Sequence, residues 1–281
     1  MKQVIAIGSK SGHQPAKSVP SNPGHGALRW KIKTFLTDGA NEWNVSQKTM
    51  SLICSIPFLV ALAGAITALL GKSAYKWFTA EDGFSENLQV VLWSLTLVLS
   101  FFIVRRFWKT GDRVIALLYG LLCIGVFFLI GEELSWGQRI FGWSTSEAMQ
   151  AINKQKETNI HNIHGVGDTF KWIHVLIGAY GTFLPILLSR VKALASHRAK
   201  LAPLVPPMTL LPYFVLPLVW RLYVNLIEPP ARFTFVIAEY SEVIELILAI
   251  GFVFFMIFQL KQPVDAKKRG APTPRASAIY R

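Results

Sequence analysis

Glu132 and Glu133 stand side by side where a long apolar run, Val114 to Ile130, comes to an end. Hydrocarbon cannot solvate an ionised carboxylate, so two of them at the mouth of a membrane helix are costly, and such groups are functional candidates by default. Neighbours on a helix point about 100° apart, so one carboxylate faces the bundle while the other meets water or a loop. A desolvated carboxyl is suited to general acid or base work. The plainer alternative is a pair of interfacial carboxylates that end the helix. Arg139 follows in the same block and His161 lies further along. We take Glu132, Glu133, His161 and Arg139 as the candidate catalytic set.

Other polar residues gather near the same level. Glu86, Gln89, Gln138, Asn162, Arg221 and Glu245 are the candidate substrate-binding positions. By a rise of about 1.5 Å per residue, Arg221 lies roughly 9 Å below a helix end at Ile227, and Glu245 roughly 6 Å below a start at Ser241. Similar depth on consecutive helices predicts that the two pair, either for chemistry or to set helix register. His161 and His164 have the spacing of one helical face. With Glu132 or Glu133 they could hold a divalent metal, although a His-x-x-His pair in a wet loop is more often hydrogen-bonded surface. His174 is a third possible ligand and reads more readily as an interfacial residue, and Trp77, Trp136, Trp143, Trp172 and Tyr240 read first as an interface belt, with the lining of a groove for a lipid chain as the alternative.

The elements that must position these groups are membrane helices. Of the 281 residues, 52% are hydrophobic and only 16% charged, which makes a soluble domain the wrong expectation. Six apolar runs, roughly 51–70, 87–104, 114–134, 172–189, 208–227 and 241–260, are near the ~20 residues needed to cross a hydrocarbon core. The fold class is therefore an all-α integral membrane protein with six transmembrane helices.

Placing both termini in the cytoplasm puts 21 of the 29 Lys and Arg inside, in segments 1–50, 105–113, 190–207 and 261–281. It leaves 12 of the 16 acids outside or at outer helix ends. That is a positive-inside pattern. The net charge of +13 thus reads as a topology signal, with some attraction to anionic lipid, and gives no reason to invoke nucleic acid. The apolar stretch at Val4–Ile7 is shorter than a signal-peptide core of about 7–15 residues, so the first spanning helix is expected to act as an uncleaved anchor. Cys54 and Cys123 fall within helices and read as small apolar residues.

Three parts follow. Residues 1–50 are a basic, largely disordered terminus, in which 27–36 could form an interfacial helix. Residues 51–260 are the membrane domain, and 261–281 are a basic tail. The connection 135–171 is long enough to hold structure. Ser144 and Glu147 fit a capping box for a helix through about Lys156, with Ala148, Met149 and Ile152 as its apolar face, lying as a cap on the outer side.

At these residues the chain resembles an uncharacterised family of bacterial multi-pass membrane proteins. The elements are Glu81-Asp82-Gly83 with Glu86 and Gln89, then Glu132-Glu133-x-Ser135-Trp136-Gly137-Gln138-Arg139, then Glu157-x-Asn159-x-His161-Asn162. The resemblance spans about 80–164. It implies a bacterial inner-membrane location with the polar face in the periplasm, and it implies no activity. Intramembrane glutamate proteases of the CAAX type match poorly: Gly137 stands where their Arg belongs, and Phe170/His174 and His164/Asp168 come in the wrong order.

The expected function is a membrane enzyme acting at the outer face on a lipid, lipid-linked or peptide substrate. Glu132 or Glu133 would be the acid/base, His161 would assist, and Arg139 or Arg221 would hold an anionic group. A partner-binding envelope protein ranks second. A transporter ranks third, because the inner halves of helices one, two, three and six are nearly all apolar.

Overall fold

The computed structural model describes residues 25–80 and 82–263. Among these, the chain is helical with no strand. The helices are α1 (His25–Trp43), α2 (Gln47–Leu69), α3 (Lys72–Thr79), α4 (Phe84–Thr110), α5 (Arg113–Glu133), α6 (Gln138–Phe141), α7 (Glu147–Ile152), α8 (Gly167–Arg190), α9 (Arg198–Leu201), α10 (Pro212–Leu226) and α11 (Thr234–Lys261). The expectations for residues 1–24, for most of the tail and for Glu81 lie outside the described residues.

Five helical segments are long and apolar enough to cross a membrane: Gln47–Leu69, Lys72–Thr110, Arg113–Glu133, Thr169–Arg190 and Ala231–Lys261. A sixth is broken. Arg198–Leu210 meets Pro212–Leu226 at 79°. The sequence reading took 208–227 as one continuous span. Pro206 and Pro207 lie in an extended stretch just before that run, where Val205 and Pro207 leave helical geometry, and Pro212, which lacks a backbone donor, opens α10 afresh within it. The 15 residues of α10 reach only about 22 Å, short of a hydrocarbon core of about 30 Å.

α11 is the centre of the bundle. Its residues from Ser241 to Gln259 are buried on nearly every face, including Ile247, Ala249 and Met256. α4 and α10 pack on α11; α5 packs on α4, and α8 on α10. α2 joins α10 and α11 from another side. The other helices leave Leu59, Leu62, Phe101, Leu121, Phe127 and Leu176 exposed, as lipid-facing surfaces require. Small residues allow the closest crossings: a Cβ on Gly181 would sit 2.1 Å from the Phe214 ring.

α5 and α8 are not packed together. A cleft of ≈ 370 Å³ separates them, with Leu118 and Leu122 on one wall, Leu176 and Ile177 on the other, and Phe252 and Phe255 as its floor. The phenols of Tyr119 and Tyr180 border it, and each donates to a backbone carbonyl, Pro203 and Leu204 respectively.

α1 runs well beyond the 27–36 segment and is tied to the bundle. Trp43 is buried and its indole donates to Thr209 at 2.9 Å. At the same end, Arg106 donates to the carbonyls of Gln259, Leu260 and Gln262, satisfying the end of α11.

Gly181→Ala is expected to cost about 1–3 kcal/mol by overpacking Phe214. Gly120→Ala, whose Cβ would meet nothing within 4 Å, is the control. Thermal unfolding in detergent should show a lower midpoint for the first alone; equal midpoints would refute the close crossing.

Candidate functional site

One end of the bundle gathers the start of α4, the end of α5, the start of α8, the end of α10 and the start of α11. The connection between α5 and α8 is built onto it. α5 stops in a sharp reversal: Ser135, Trp136 and Gly137 all take positive φ, at 46°, 54° and 95°. For Ser and Trp this backbone is uncommon and costs of order 1–3 kcal/mol per residue. The reversal folds the Trp136 ring over Gly131, where a Cβ would lie 3.0 Å from the indole. The indole N–H then donates to Glu132 Oε1 at 2.6 Å. Trp136 is thus bound to the site while part of its ring stays exposed.

Glu132 is 1% exposed and surrounded by donors. Its Oε2 accepts the backbone N–H groups of Ile160 at 2.7 Å and His161 at 2.8 Å. The same oxygen lies 3.2 Å from His161 Nδ1. With the carboxylate ionised, Nδ1 carries the proton and Nε2 is left as the basic nitrogen.

The remaining contacts bind the rest of the connection. Ser135 donates to Glu157 at 2.6 Å, and Asn159 donates to both. Asn153 donates to Asn159, and its side-chain Oδ1 accepts from the backbone N–H groups of Gln155 and Glu157. Gln138 donates to Thr145 at 2.8 Å and accepts the Thr158 N–H at 2.8 Å. Asn162 donates to Gln155.

Helix α7 begins at Glu147 under a Ser146 cap whose hydroxyl accepts from Met149, and it ends at Ile152. The expected Ser144 cap and the continuation to Lys156 are therefore corrected. Asn153 leaves helical geometry to form its own loop bonds and an isolated bridge to Ile163. Ala148 and Ile152, the expected apolar face, are exposed.

Both arginines have protein partners. Arg139 pairs with Asp82 and with Glu86 at 2.5 Å, and donates to the Glu133 carbonyl at 2.8 Å. Glu86 also accepts the Asp82 N–H at 2.6 Å. Arg221 pairs with Glu245 and donates to Ser241 at 3.3 Å, so the pairing expected from depth is present. Both guanidiniums are thus tied to carboxylates, and Arg221 keeps a buried Nε without a hydrogen-bond partner. Gln89 is buried and donates to Glu242 at 3.0 Å. His174 Nε2 lies 3.8 Å from Glu245.

Glu133 behaves differently from its neighbour. It lies within electrostatic reach of Glu245, His161, Glu86 and Arg139. It is partly accessible, and among the described residues its carboxylate has no hydrogen-bond partner. His164 is exposed, and among the described residues no three His, Cys, Asp or Glu side chains could hold a metal ion together. The His161/His164 metal reading therefore gains no ligand set. Glu242 and His174 are members of the cluster that the candidate set left out. The one signal for Glu242 was its position three residues before Glu245, on the same helical face.

No family model, curated protein or solved structure matches this chain.

Burial alone would lower the His161 imidazole. The Glu132 hydrogen bond and the charges of Glu133, Glu132 and Glu245 outweigh it, so the group titrates above an ordinary histidine. A raised folded-state value stabilises fully below the unfolded value, and that contribution is lost as pH rises through the folded one. Protection of segment 157–164 against hydrogen exchange, corrected for the intrinsic rate, should therefore fall as pH rises above the ordinary histidine range of about 6.5. Glu132→Gln should remove this dependence and lower local stability by about 1–3 kcal/mol. Protection that does not change with pH would dissociate His161 from the Glu132 clamp.

Proposed function

We propose that this chain is a multi-pass membrane enzyme in which His161 and Glu133 move protons on a lipid, lipid-linked or peptide substrate. One observation carries the reading. Glu132 holds Nδ1 of His161, while neither His161 Nε2 nor the Glu133 carboxylate has a hydrogen-bond partner among the described residues. A carboxylate that orients an imidazole and supports its charged form is how such a ring is prepared as general base and then acid. Glu132 is then a positioning residue. Glu133 lies close enough to share the proton balance.

In this reading the site faces outward, the termini are cytoplasmic and the α5–α8 connection caps the outer face. The basic residues of the chain support that orientation. The family resemblance supports the bacterial inner membrane, with the cap in the periplasm. Transport is disfavoured, because the polar groups collect at one end of a bundle whose core towards the other end is Phe252, Phe255 and Phe258.

A docking role is the second reading. Ile140, Phe141, Trp143 and Ile152 are exposed on the connection, and the Phe141 and Trp143 rings stack at 5.4 Å. Such a patch marks a partner surface or a seat in the lipid interface.

Wild-type protein in nanodiscs made from a bacterial lipid extract should convert one lipid species, followed by mass spectrometry. Glu133→Gln and His161→Gln should each slow conversion by about 10²–10⁴-fold with the protein still folded. Conversion at wild-type rate in both variants would end the enzyme reading. A chemical crosslink from Phe141 to one specific protein would favour docking.

A further inference from the structure

The end of the bundle remote from the polar recess at Glu133 carries a separate group of charges. α1 is fixed there, where α11 ends: Lys261 Nζ donates to the Trp43 carbonyl at 3.2 Å, and the Gln47 amide donates to the Thr37 hydroxyl across the α1–α2 corner. Between the two helices lies a pocket of ≈ 590 Å³. Arg29, Ile32, Lys33 and Leu36 form its α1 wall, and Lys48 and Ser51 line it from α2. The spacing 29, 32, 33, 36 is one face of a helix, so a single side of α1 is presented to the pocket.

Three of those side chains are cations, and the ion pairs among the described residues involve none of them. α2 contains no Asp or Glu. At about 100° per residue, Asp38 and Glu42 fall on the side of α1 away from Arg29 and Lys33. Like charges gathered around one pocket repel one another, and an anion among them turns that repulsion into attraction.

A second observation says what kind of anion. The α2 wall of the pocket continues directly into lipid-facing surface. Ser51, Phe58 and Leu62 lie on one face of α2 at helical spacing, and the rings and methyls of Phe58 and Leu62 are more than half exposed. On α1, Trp30 and Ile32 are exposed beside the basic residues, as in segments that lie at the level of lipid headgroups. A soluble anion would use the cations and leave this apolar face uncovered. A lipid uses both, with its head in the pocket and its chains along α2.

We propose that the pocket between α1 and α2 binds the phosphate headgroup of an anionic membrane lipid. The Arg29 guanidinium offers paired N–H donors to two phosphate oxygens, Lys33 and Lys48 add point charges, and the Ser51 hydroxyl is a neutral donor in the same pocket. The acyl chains lie on the Phe58 and Leu62 face. Basic pockets beside membrane helices on the cytoplasmic side hold phosphate headgroups in this way, and in the orientation proposed above this end meets the inner leaflet. The site is separate from the polar recess and does not depend on its being an active site.

The test places the full chain in nanodiscs of phosphatidylglycerol and phosphatidylcholine in equal parts with identical chains. Native mass spectrometry counts the lipids that stay on the released protein. Wild type should retain phosphatidylglycerol roughly tenfold over phosphatidylcholine. The triple variant Arg29→Gln/Lys33→Gln/Lys48→Gln should hold the two about equally. Lys31→Gln/Arg105→Gln/Lys109→Gln removes the same charge from exposed positions outside the pocket and should keep the preference. Lys48→Gln alone should lower the preference roughly threefold, and it decides the matter if the triple variant does not fold. Equal retention of both lipids by wild type overturns the proposal. The same loss in the pocket and control variants also overturns it, because the attraction would then belong to the basic surface as a whole. Excess glycerol phosphate should leave the bound phosphatidylglycerol in place; its displacement would make the pocket a site for a soluble anion and remove the lipid.

Discussion

The Glu132 carboxylate is the interaction on which this end of the molecule depends. A buried carboxylate must find donors or become neutral. The α5–α8 connection supplies them: two consecutive backbone N–H groups, the Trp136 indole and the His161 ring. Charge-assisted bonds of this kind are roughly twice as strong as neutral ones. They offset the unfavourable backbone of Ser135 and Trp136, and they order a segment with only two short α-helices and no strand among its described residues. Ser135, Glu157, Asn159 and Asn153 continue the same network outward. The connection is therefore held by directional polar bonds at one helix end more than by apolar packing.

The spanning helices follow a different rule. No hydrophobic force drives helices together inside lipid, so close fit decides. α11 is enclosed because glycines on its neighbours and on itself admit bulky side chains: Gly64 faces Val243, and Gly251 faces Tyr213. The row α5–α4–α11–α10–α8 places α5 and α8 at its ends, leaving a cleft between them and not a seam. The polar recess lies where the connection joins those two ends. The clamp at Glu132 thus also sets how α5 and α8 approach each other.

Much of the fold was legible. Five of the six apolar runs became unbroken spanning helices, because length and hydropathy state the need for internally satisfied backbone. The Arg221–Glu245 pair was legible as well, since depth follows from residue count alone. The break before α10 was underweighted: the apolar run was taken to start at Met208, while the straight helix starts only at Pro212, after a bend of 79°. The site was legible as a location and not as a set of roles. Nothing in the string Glu132-Glu133 says which carboxylate meets the backbone of Ile160, a residue 28 positions away. Arg139, Gln138 and Asn162 looked available because their partners come from folding. Trp136 read as interfacial because its composition carries no hint of the reversal at Ser135.

The two adjacent glutamates come to hold opposite states by geometry. Residues about 100° apart on one helix cannot share an environment at a crowded helix end. Glu132 turns to the connection and is saturated with donors. Glu133 turns to the charges on α4 and α11, and its carboxylate takes no hydrogen bond among the described residues. Exchanging the two environments would need a rotation of α5, which the packing of Ile115, Tyr119 and Val126 in the core opposes. A protein that needed only a stable helix end could use one carboxylate, or none. The second is an unfavourable charge on folding alone, and its place beside a fully satisfied neighbour is why the proposed function rests on Glu133.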